Sequence, residues 1–269
     1  MHRFLYKLVK NHKKQGQKGQ ILLMVVLATV ITLTVGLSAI SRTITNTRVS
    51  TEEANSQKAL SAAEAGIEEL LSNQSLFATG TTKTLSNNSV FETEAVAVSG
   101  TQIHINDGNR ILKDDGADIW LTNYPDFSGS PWNGTLTIYW TNTGSACSGP
   151  AVEVAVIHGA RANPSMGRYT ADPCSTRNNN FSGALGGGTV LGKSFQNRIS
   201  VPVTNGYIAR VIPLYANTEM AVVGTSALPV QGYVIDSVGI SGDATRKLRV
   251  FQGHPRLPIE FFPYNVFLP

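Results

Sequence analysis

The sequence predicts an α+β protein in which a long N-terminal helix packs on an antiparallel β-sheet head. Between Gly19 and about Leu71 there is no proline, and only Gly36 and Gly66 interrupt residues that form helices readily. From Val90 onward, short runs of β-branched and aromatic residues alternate with turn residues. The first pattern predicts one continuous helix of about 50 residues, roughly 75 Å long. The second predicts strands, and a helix followed by many strands is typical of the α+β class.

Residues 1–19 form a short basic leader. Six of the 22 Lys and Arg residues precede Gln20, and no acidic residue occurs before Glu52. Without the leader, 16 basic residues face 18 acidic ones, a net charge of −2. The basic charge is therefore a topology signal that holds the N-terminus in the cytoplasm. We predict no direct nucleic-acid partner.

Residues 20–41, QILLMVVLATVITLTVGLSAIS, are uncharged and lie between Lys18 and Arg42. A run of this length can cross the ~30 Å hydrocarbon core of a bilayer and is too long for the apolar part of a secretory signal peptide. It predicts the transmembrane half of the helix, in the cytoplasmic membrane with the N-terminus inside. Two interpretations remain open: a plain single-pass anchor, or a segment cut on its cytoplasmic side after Gly19.

Small and hydroxylated residues are scattered through this run, at Thr29, Thr32, Thr34, Gly36 and Ser38. A helix that faces only lipid needs none of them. Such residues let membrane helices approach closely and hydrogen-bond to one another. They favour a helix that packs against other helices.

Residues 42–76 are predicted to form the amphipathic half of the helix. Leu60, Ala63, Ile67, Leu70 and Leu71 have the spacing of one helix face. We expect this stripe to bury against the β-rich head, residues 77–269.

Nine segments of the head are predicted to be strands. Their ranges are Val90–Val98, Gln102–Asn106, Ala117–Thr122, Gly134–Trp140, Ala151–Ile157, Arg198–Val203, Tyr207–Tyr215, Tyr233–Val238 and Arg246–Phe251. Asn205-Gly206 predicts one hairpin turn and Ser241–Thr245 a second. Asn178–Gly188 is interpreted as a glycine-rich loop. The tail from Pro255 to Pro269 is expected to lie extended across the surface.

The two cysteines, Cys147 and Cys174, lie in the predicted exported part of the chain. Two free buried thiols are one possibility, but a disulfide is favoured in an oxidising compartment. It would stabilise the fold by about 3 kcal/mol.

Three patterns invite a chemical interpretation. The segment from Gly187 to Ser194 matches the phosphate-loop pattern, but neither a hydrophobic strand before it nor a helix after it is predicted, which favours a chance match. The carboxylates of Asp107, Asp114, Asp115 and Asp118 are interpreted as solvated turns more readily than as a calcium site. An aromatic concentration is expected to serve packing first and a ligand or adhesion patch second; it comprises Trp120, Tyr124, Phe127, Trp132, Tyr139 and Trp140. We predict no cofactor, no metal and no enzymatic activity.

Several segments resemble type IV pilins and pilin-like proteins. Lys18-Gly19-Gln20 looks like their cleavage junction, and residues 62–68, AAEAGIE, are similar to a helix segment of PilX-type minor pilins. Residues 237–247, SVGISGDATRK, resemble the C-terminal hairpin of the same group. The resemblance implies that a membrane prepilin peptidase cuts after Gly19 and that the new N-terminus, Gln20, is methylated. It also implies a pilin-like fold and, as partners, other pilins or pseudopilins through the N-terminal helix, an inner-membrane assembly platform, and membrane lipid before assembly.

One residue departs from the pattern of the major pilins. The family places a glutamate five residues after the cut, and here that position is Met24. In the family this carboxylate pairs with the terminal amine of a neighbouring subunit, so a chain without it is expected at a filament end. The sequence thus predicts a minor pilin or pseudopilin whose helix packs through Met24, Thr29, Thr32 and Gly36, in the cytoplasmic membrane and then in an extracellular filament or the periplasm. The alternatives are an uncleaved, membrane-anchored adhesin or carbohydrate-binding module, or an anchored enzyme or nucleotide binder using Lys193 or the aspartates.

Overall fold

The structure is a computed structural model that describes residues 18–141, 144–258 and 262. One helix, α1, runs from Lys18 to Ser72, which confirms the predicted long helix. Its side chains are described from Ile21 onward. The chain separates into two compact units, Met1–Gln57 and Lys58–Pro269. The second unit therefore contains the last part of α1 as well as all of the strands, and we call it the β-rich unit.

Thirteen strands follow α1 in the described part of the chain. They are β1 Thr81–Thr84, β2 Val90–Ala97, β3 Gly100–His104, β4 Ala117–Trp120, β5 Trp132–Trp140, β6 Ala151–Ala160, β7 Asn163–Asp172, β8 Ser182–Gly183, β9 Leu185–Val190, β10 Lys193–Leu214, β11 Met220–Leu228, β12 Gly232–Ser241 and β13 Ala244–Gly253. Short 3₁₀ turns cover Gln74–Ala78 and Ile105–Gly108. The class is α+β, as predicted, but the strands form two sheets where one was expected.

The smaller sheet has the antiparallel order β1-β2-β12-β13 and carries the last turns of α1. Ile67 and Leu70 pack on Ile235 of β12, and Leu76, Phe77 and other side chains surround them. The turn between β12 and β13 confirms the second predicted hairpin.

The predicted apolar stripe of α1 is only partly correct. Ala63, Ile67 and Leu70 are buried, but Leu60 and Leu71 remain 39% and 37% exposed. Their places in the contact are taken by alanines and glycine at residues 59, 62 and 66.

Close approach of backbones explains this shift. A Cβ on Gly66 would lie 2.5 Å from both Ser237 Oγ and Thr93 Cγ2, and a Cβ on Gly239 would collide with the carbonyl oxygen of Ala59. The helix and the sheet are too close for large side chains along this line, so small residues form the contact.

The larger sheet has the order β3-β11-β5-β10-β6-β7-β8, and β4 and β9 also pair with β10. All pairs are antiparallel except the short parallel pair of β7 and β8. Its inner face holds the main core, with fully buried side chains such as Leu136, Ile138, Trp140, Val154 and Val211.

Strand β10 organises this sheet and corrects one prediction. Asn205-Gly206 is not a hairpin turn, because β10 continues through it as one strand of 22 residues. Before this point β10 pairs with β5 and β9, and after it with β4 and β6. The register shifts here, and Asn205 has a φ of +53°. The turn signal therefore marks a β-bulge, where one strand changes its neighbours.

Two further expectations need correction. The predicted loop Asn178–Gly188 contains β8 and the first half of β9. The tail is not wholly on the surface, since Phe262 is 1% exposed and lies against Arg210. The rest of the tail, residues 259–261 and 263–269, lies outside the described residues.

Candidate functional site

The first half of α1 is an apolar surface that none of the described residues covers. Every side chain from Ile21 to Ala54 is exposed, and Ile21, Leu27 and Val35 are 64%, 57% and 64% exposed. The helix is long and apolar enough to cross a membrane. We call residues 21–41 the apolar segment.

The threonine hydroxyls of this segment donate within the helix. Thr29 donates to Val26 O at 2.8 Å, Thr32 to Ala28 O at 2.8 Å, and Thr34 to Val30 O at 2.9 Å. This back-bonding satisfies a hydroxyl donor in an apolar environment. Each oxygen still has lone pairs that can accept from a neighbouring helix, so the predicted cross-helix role of Thr29 and Thr32 stays a prediction.

Two other predicted packing positions face open space. Met24 is 61% exposed, and a Cβ built on Gly36 would meet no atom within 4 Å. Nothing in the described chain therefore requires a glycine at residue 36. The proposed cleavage site, Gly19 and Gln20, has helical backbone, but its side chains lie outside the described residues. The leader up to residue 17 is not described.

The disulfide between Cys147 and Cys174 is present, as predicted. Arg177 fixes the loop that it closes: its guanidinium donates to Cys147 O at 2.7 Å and to Gly149 O at 2.6 Å. The same side chain pairs with Asp172 at 3.0 Å, and Asp172 is almost fully buried. The crosslink thus belongs to a stabilised loop at the end of the larger sheet.

The phosphate-loop match lies in a β-hairpin. Leu191 and Gly192 form the turn between β9 and β10 and have φ values of +47° and +80°. Lys193 begins β10 and pairs with Glu219, and Ser194 also lies in the strand. A phosphate loop needs backbone N–H groups at the start of a helix. The hairpin offers no such group.

Three of the four clustered aspartates pair with different cations: Asp114 with Lys113, Asp115 with Arg256 and Asp118 with Arg210. Asp118 and Arg210 form a buried two-pronged ion pair with N–O distances of 2.6 and 2.7 Å. Asp118 also accepts the N–H of Leu257 at 2.8 Å, so this pair holds the tail. Asp115 pairs with Arg256 at 2.6 Å near the surface. Among the described residues, no group of three His, Cys, Asp or Glu side chains is arranged to hold a metal.

The predicted aromatic concentration divides into core and surface parts. Trp132 and Trp140 belong to the main core. Trp120 lies at the end of β4 and contacts Phe127 at 4.9 Å, Tyr124 at 5.0 Å and His254 at 6.0 Å between ring centroids. The His254 ring also stacks on Tyr124 at 4.3 Å. Burial lowers the pKa of His254, so its ring is neutral at neutral pH.

A cavity of about 250 Å³ lies beside Trp120, where the two sheets meet. Residues of β3, β4, β11 and β13 contribute to its wall. Its polar wall residues are His104, Asn106, Asp118, Gln231, His254 and Arg256. We call it the Trp120 cavity. Except for Asp118, its polar wall residues were not among the candidates taken from the sequence. They are scattered along the 153 positions from His104 to Arg256 and form no motif, so the only signal was the aromatic concentration around Trp120.

No protein-family model, curated protein or solved structure matches this chain at a significant level.

Proposed function

We propose that the chain is a minor pilin or pseudopilin, a non-enzymatic subunit of a type IV pilus or of a type II secretion-like filament. The observation that carries this proposal is the apolar segment of α1, which is exposed on every side. Burying one large apolar side chain contributes about 1.5–3 kcal/mol. Leaving a whole segment of them in water is unfavourable, so a bilayer or the helices of other subunits must surround it.

A filament subunit meets both environments in turn. Before assembly the segment lies in the cytoplasmic membrane, with the basic leader in the cytoplasm. After assembly it packs among the helices of other pilins or pseudopilins. Gly36 supports the second environment, since none of the described residues requires a glycine there and glycine lets membrane helices approach closely.

Processing links the two environments. In this proposal a prepilin peptidase cuts after Gly19, Gln20 is methylated, and an inner-membrane assembly platform extracts the subunit from the bilayer. The side chain of Met24 is an uncharged thioether, so it cannot form an ion pair with the terminal amine of a neighbouring subunit. This supports a place at a filament end, outside the bulk of the fibre.

The mature N-terminus tests the proposal directly. The chain would be expressed with and without a prepilin peptidase, and its intact mass measured. We expect loss of residues 1–19 and gain of one methyl group only when the peptidase is present. Gly19→Val should leave the precursor uncut, whereas Gly16→Val, a matched change in the same leader, should still be cut. Normal maturation of the Gly19→Val variant would contradict the proposal.

An uncleaved, membrane-anchored adhesin or carbohydrate-binding module is the second candidate. The Trp120 cavity favours it, because polar side chains line a space large enough for a small molecule. The same mass measurement separates the candidates: a chain that keeps Met1 in the presence of the peptidase supports the anchored protein.

A further inference from the structure

The smaller sheet has one face that α1 covers and another that the described residues leave largely exposed. Thr93 of β2 and Ser237 and Ile235 of β12 face the helix. Successive residues of a strand point to opposite faces, so the even-numbered residues of β2 and β12 and the odd-numbered residues of β13 point away from it. On that side, Val96 and Ile240 are 59% and 39% exposed. We call it the outer face.

The charges of the outer face are separated by strand. One row across the sheet runs from Glu92 on β2, over β12, to Lys247 on β13. The next row runs from Glu94 over Asp236 to Arg249. The outer face therefore has a negative strip on β2 and a positive strip on β13, with β12 between them.

These charges are poorly balanced inside the chain. Asp236 lies 3.5 Å from Lys247 and 3.9 Å from Arg249, and these two cations remain 59% and 64% exposed. Glu94 lies directly beside Asp236, and like charges in this position destabilise a sheet. Neither Glu92 nor Glu94 forms an ion pair with any of the described residues. The outer face therefore offers both signs of charge to a partner.

A second copy of the chain supplies the missing charges when it is turned about a two-fold axis that runs along β12, between the two outer faces. This rotation keeps each row at the same height and places β2 of one copy over β13 of the other. Glu92 then faces the partner's Lys247, and Glu94 faces the partner's Arg249, each twice in the pair. Asp236 faces its own copy, but stacked sheets lie about 10 Å apart and each Asp236 keeps its own two cations.

A two-fold axis across the strands fails the same comparison. It would place β2 over β2 and β13 over β13, so that like charges meet. The charge pattern therefore selects the axis along β12.

The direction of α1 agrees with that axis. Ala59 meets the sheet at Gly239, and Leu70 packs on Ile235. The contact thus moves about 16 Å along the helix while it moves about 13 Å along β12. Residues 59–70 therefore run nearly along the strand. A two-fold axis parallel to β12 leaves these helix segments of both copies pointing the same way, which two chains anchored in the same membrane require.

We propose that the outer face binds a second copy of this chain, in a symmetric pair with β2 of each copy over β13 of the other. Three strands of eight residues offer only about 350 Å² per copy by strand spacing and rise, whereas a stable complex buries about 800 Å². The pair is therefore weak in dilute solution and forms where a membrane or a filament holds the chains side by side. The proposal does not rest on cleavage after Gly19.

The test measures crosslinking between copies of the full, uncut chain in phosphatidylcholine vesicles. The two cysteines of the sequence form the disulfide, so Ile240→Cys gives a single reactive thiol on β12, close to the proposed axis. We expect a short bis-maleimide to join two copies at a rate that falls as salt is added. Leu112→Cys, at a residue that is 59% exposed and outside the smaller sheet, reports random collisions and should crosslink more slowly.

Reversing one charge in each strip tests the arrangement. In the Ile240→Cys chain, Glu92→Lys and Lys247→Glu each turn two attractions into repulsions, so each should slow crosslinking about tenfold. A mixture of these two variants should restore the rate, because each reversed charge then faces its opposite. Glu64→Lys makes the same change at an exposed residue of α1 and should leave the rate unchanged.

The melting temperature of each variant shows whether the β-rich unit is still folded. Glu92 is exposed, so Glu92→Lys should melt at the wild-type temperature. Equal crosslinking rates in Ile240→Cys and Leu112→Cys would overturn the proposal. A wild-type rate in the Glu92→Lys variant, or a mixture that crosslinks no faster than the separate folded variants, would overturn it as well.

Discussion

Residues 21–41 of α1 expose their apolar side chains on every side, whereas residues 58–72 of the same helix bury one face against the smaller sheet. Both halves are continuous α-helix. The difference is therefore not one of backbone conformation. It lies in what covers the side chains: residues 58–72 are covered on one face by the smaller sheet, whereas none of the described residues covers residues 21–41.

The two glycines of the helix show the same difference. A Cβ on Gly66 would lie within 3 Å of Ser237, Thr93 and Phe91, whereas a Cβ on Gly36 would meet nothing within 4 Å. Gly66 is explained by packing inside the chain. Gly36 costs helix stability, about 1 kcal/mol relative to alanine, and no described residue packs against it, so its role in contacts between helices stays a prediction.

Truncation of a leucine should give the largest difference in free energy of unfolding between variants in the two parts of α1. Leu70→Ala removes a fully buried side chain and should lower the free energy of unfolding of the β-rich unit by about 2–5 kcal/mol. Leu37→Ala, at a residue that is 59% exposed, should leave it unchanged. Urea unfolding in detergent, followed by tryptophan fluorescence, measures this directly because all three tryptophans lie in the β-rich unit.

Equal losses in these two variants would show that the apolar segment also supports the β-rich unit, and the contrast between the halves would fail. An unchanged midpoint in Leu70→Ala would place the stability of the unit in the larger sheet alone.

Replacing each glycine with alanine should give the next largest difference in free energy of unfolding between the two parts of α1. Gly66→Ala overpacks the helix–sheet contact and should cost about 1–3 kcal/mol. Gly36→Ala meets no atom and adds helix propensity, so the unfolding midpoint should not fall. Its effect is expected instead on incorporation into filaments, measured as the amount of this chain in sheared surface fibres. Normal incorporation of both Gly36→Ala and the bulkier Gly36→Leu would contradict a close helix contact at this residue.

The sequence predicts the helix and the disulfide well because the helix depends on the preferences of neighbouring residues, and the disulfide on the presence of two cysteines. Proline-free helix formers define α1, and the chain has only one possible cysteine pair. Most predicted strands also correspond to observed ones. Strands β1, β7, β8, β9 and β11 were missed, since Thr-, Gly- and Ala-containing runs such as residues 163–172 lack a clear alternation of large apolar residues.

The errors come from contacts that hydrophobicity does not encode. The spacing placed Leu60 and Leu71 in the predicted stripe on α1, but the sheet approaches so closely that Ala59 and Gly66 fill those places. Asn205-Gly206 has a strong local turn signal, yet pairing on both sides of β10 keeps the strand continuous. The Trp120 cavity was not predicted because residues from four strands and a loop meet only in the folded chain.

Breaking the ion pair between Glu69 of α1 and Lys83 of β1 should give the smallest difference in free energy of unfolding. Its N–O distance is 3.0 Å, but both side chains are largely exposed, at 37% and 53%. Exposed pairs contribute about 0.2–1 kcal/mol, and a negative charge near a helix C-terminus is itself unfavourable by a similar amount. These two effects oppose each other, so Glu69→Gln should shift the unfolding free energy by less than about 1 kcal/mol and the shift should vanish in high salt. Glu53→Gln, at an exposed residue of α1 ahead of the helix–sheet contact, should leave the free energy of unfolding unchanged at either salt concentration. A loss above 2 kcal/mol in Glu69→Gln would mean that charge, and not the small-residue contact at Ala59 and Gly66, attaches the helix to the sheet.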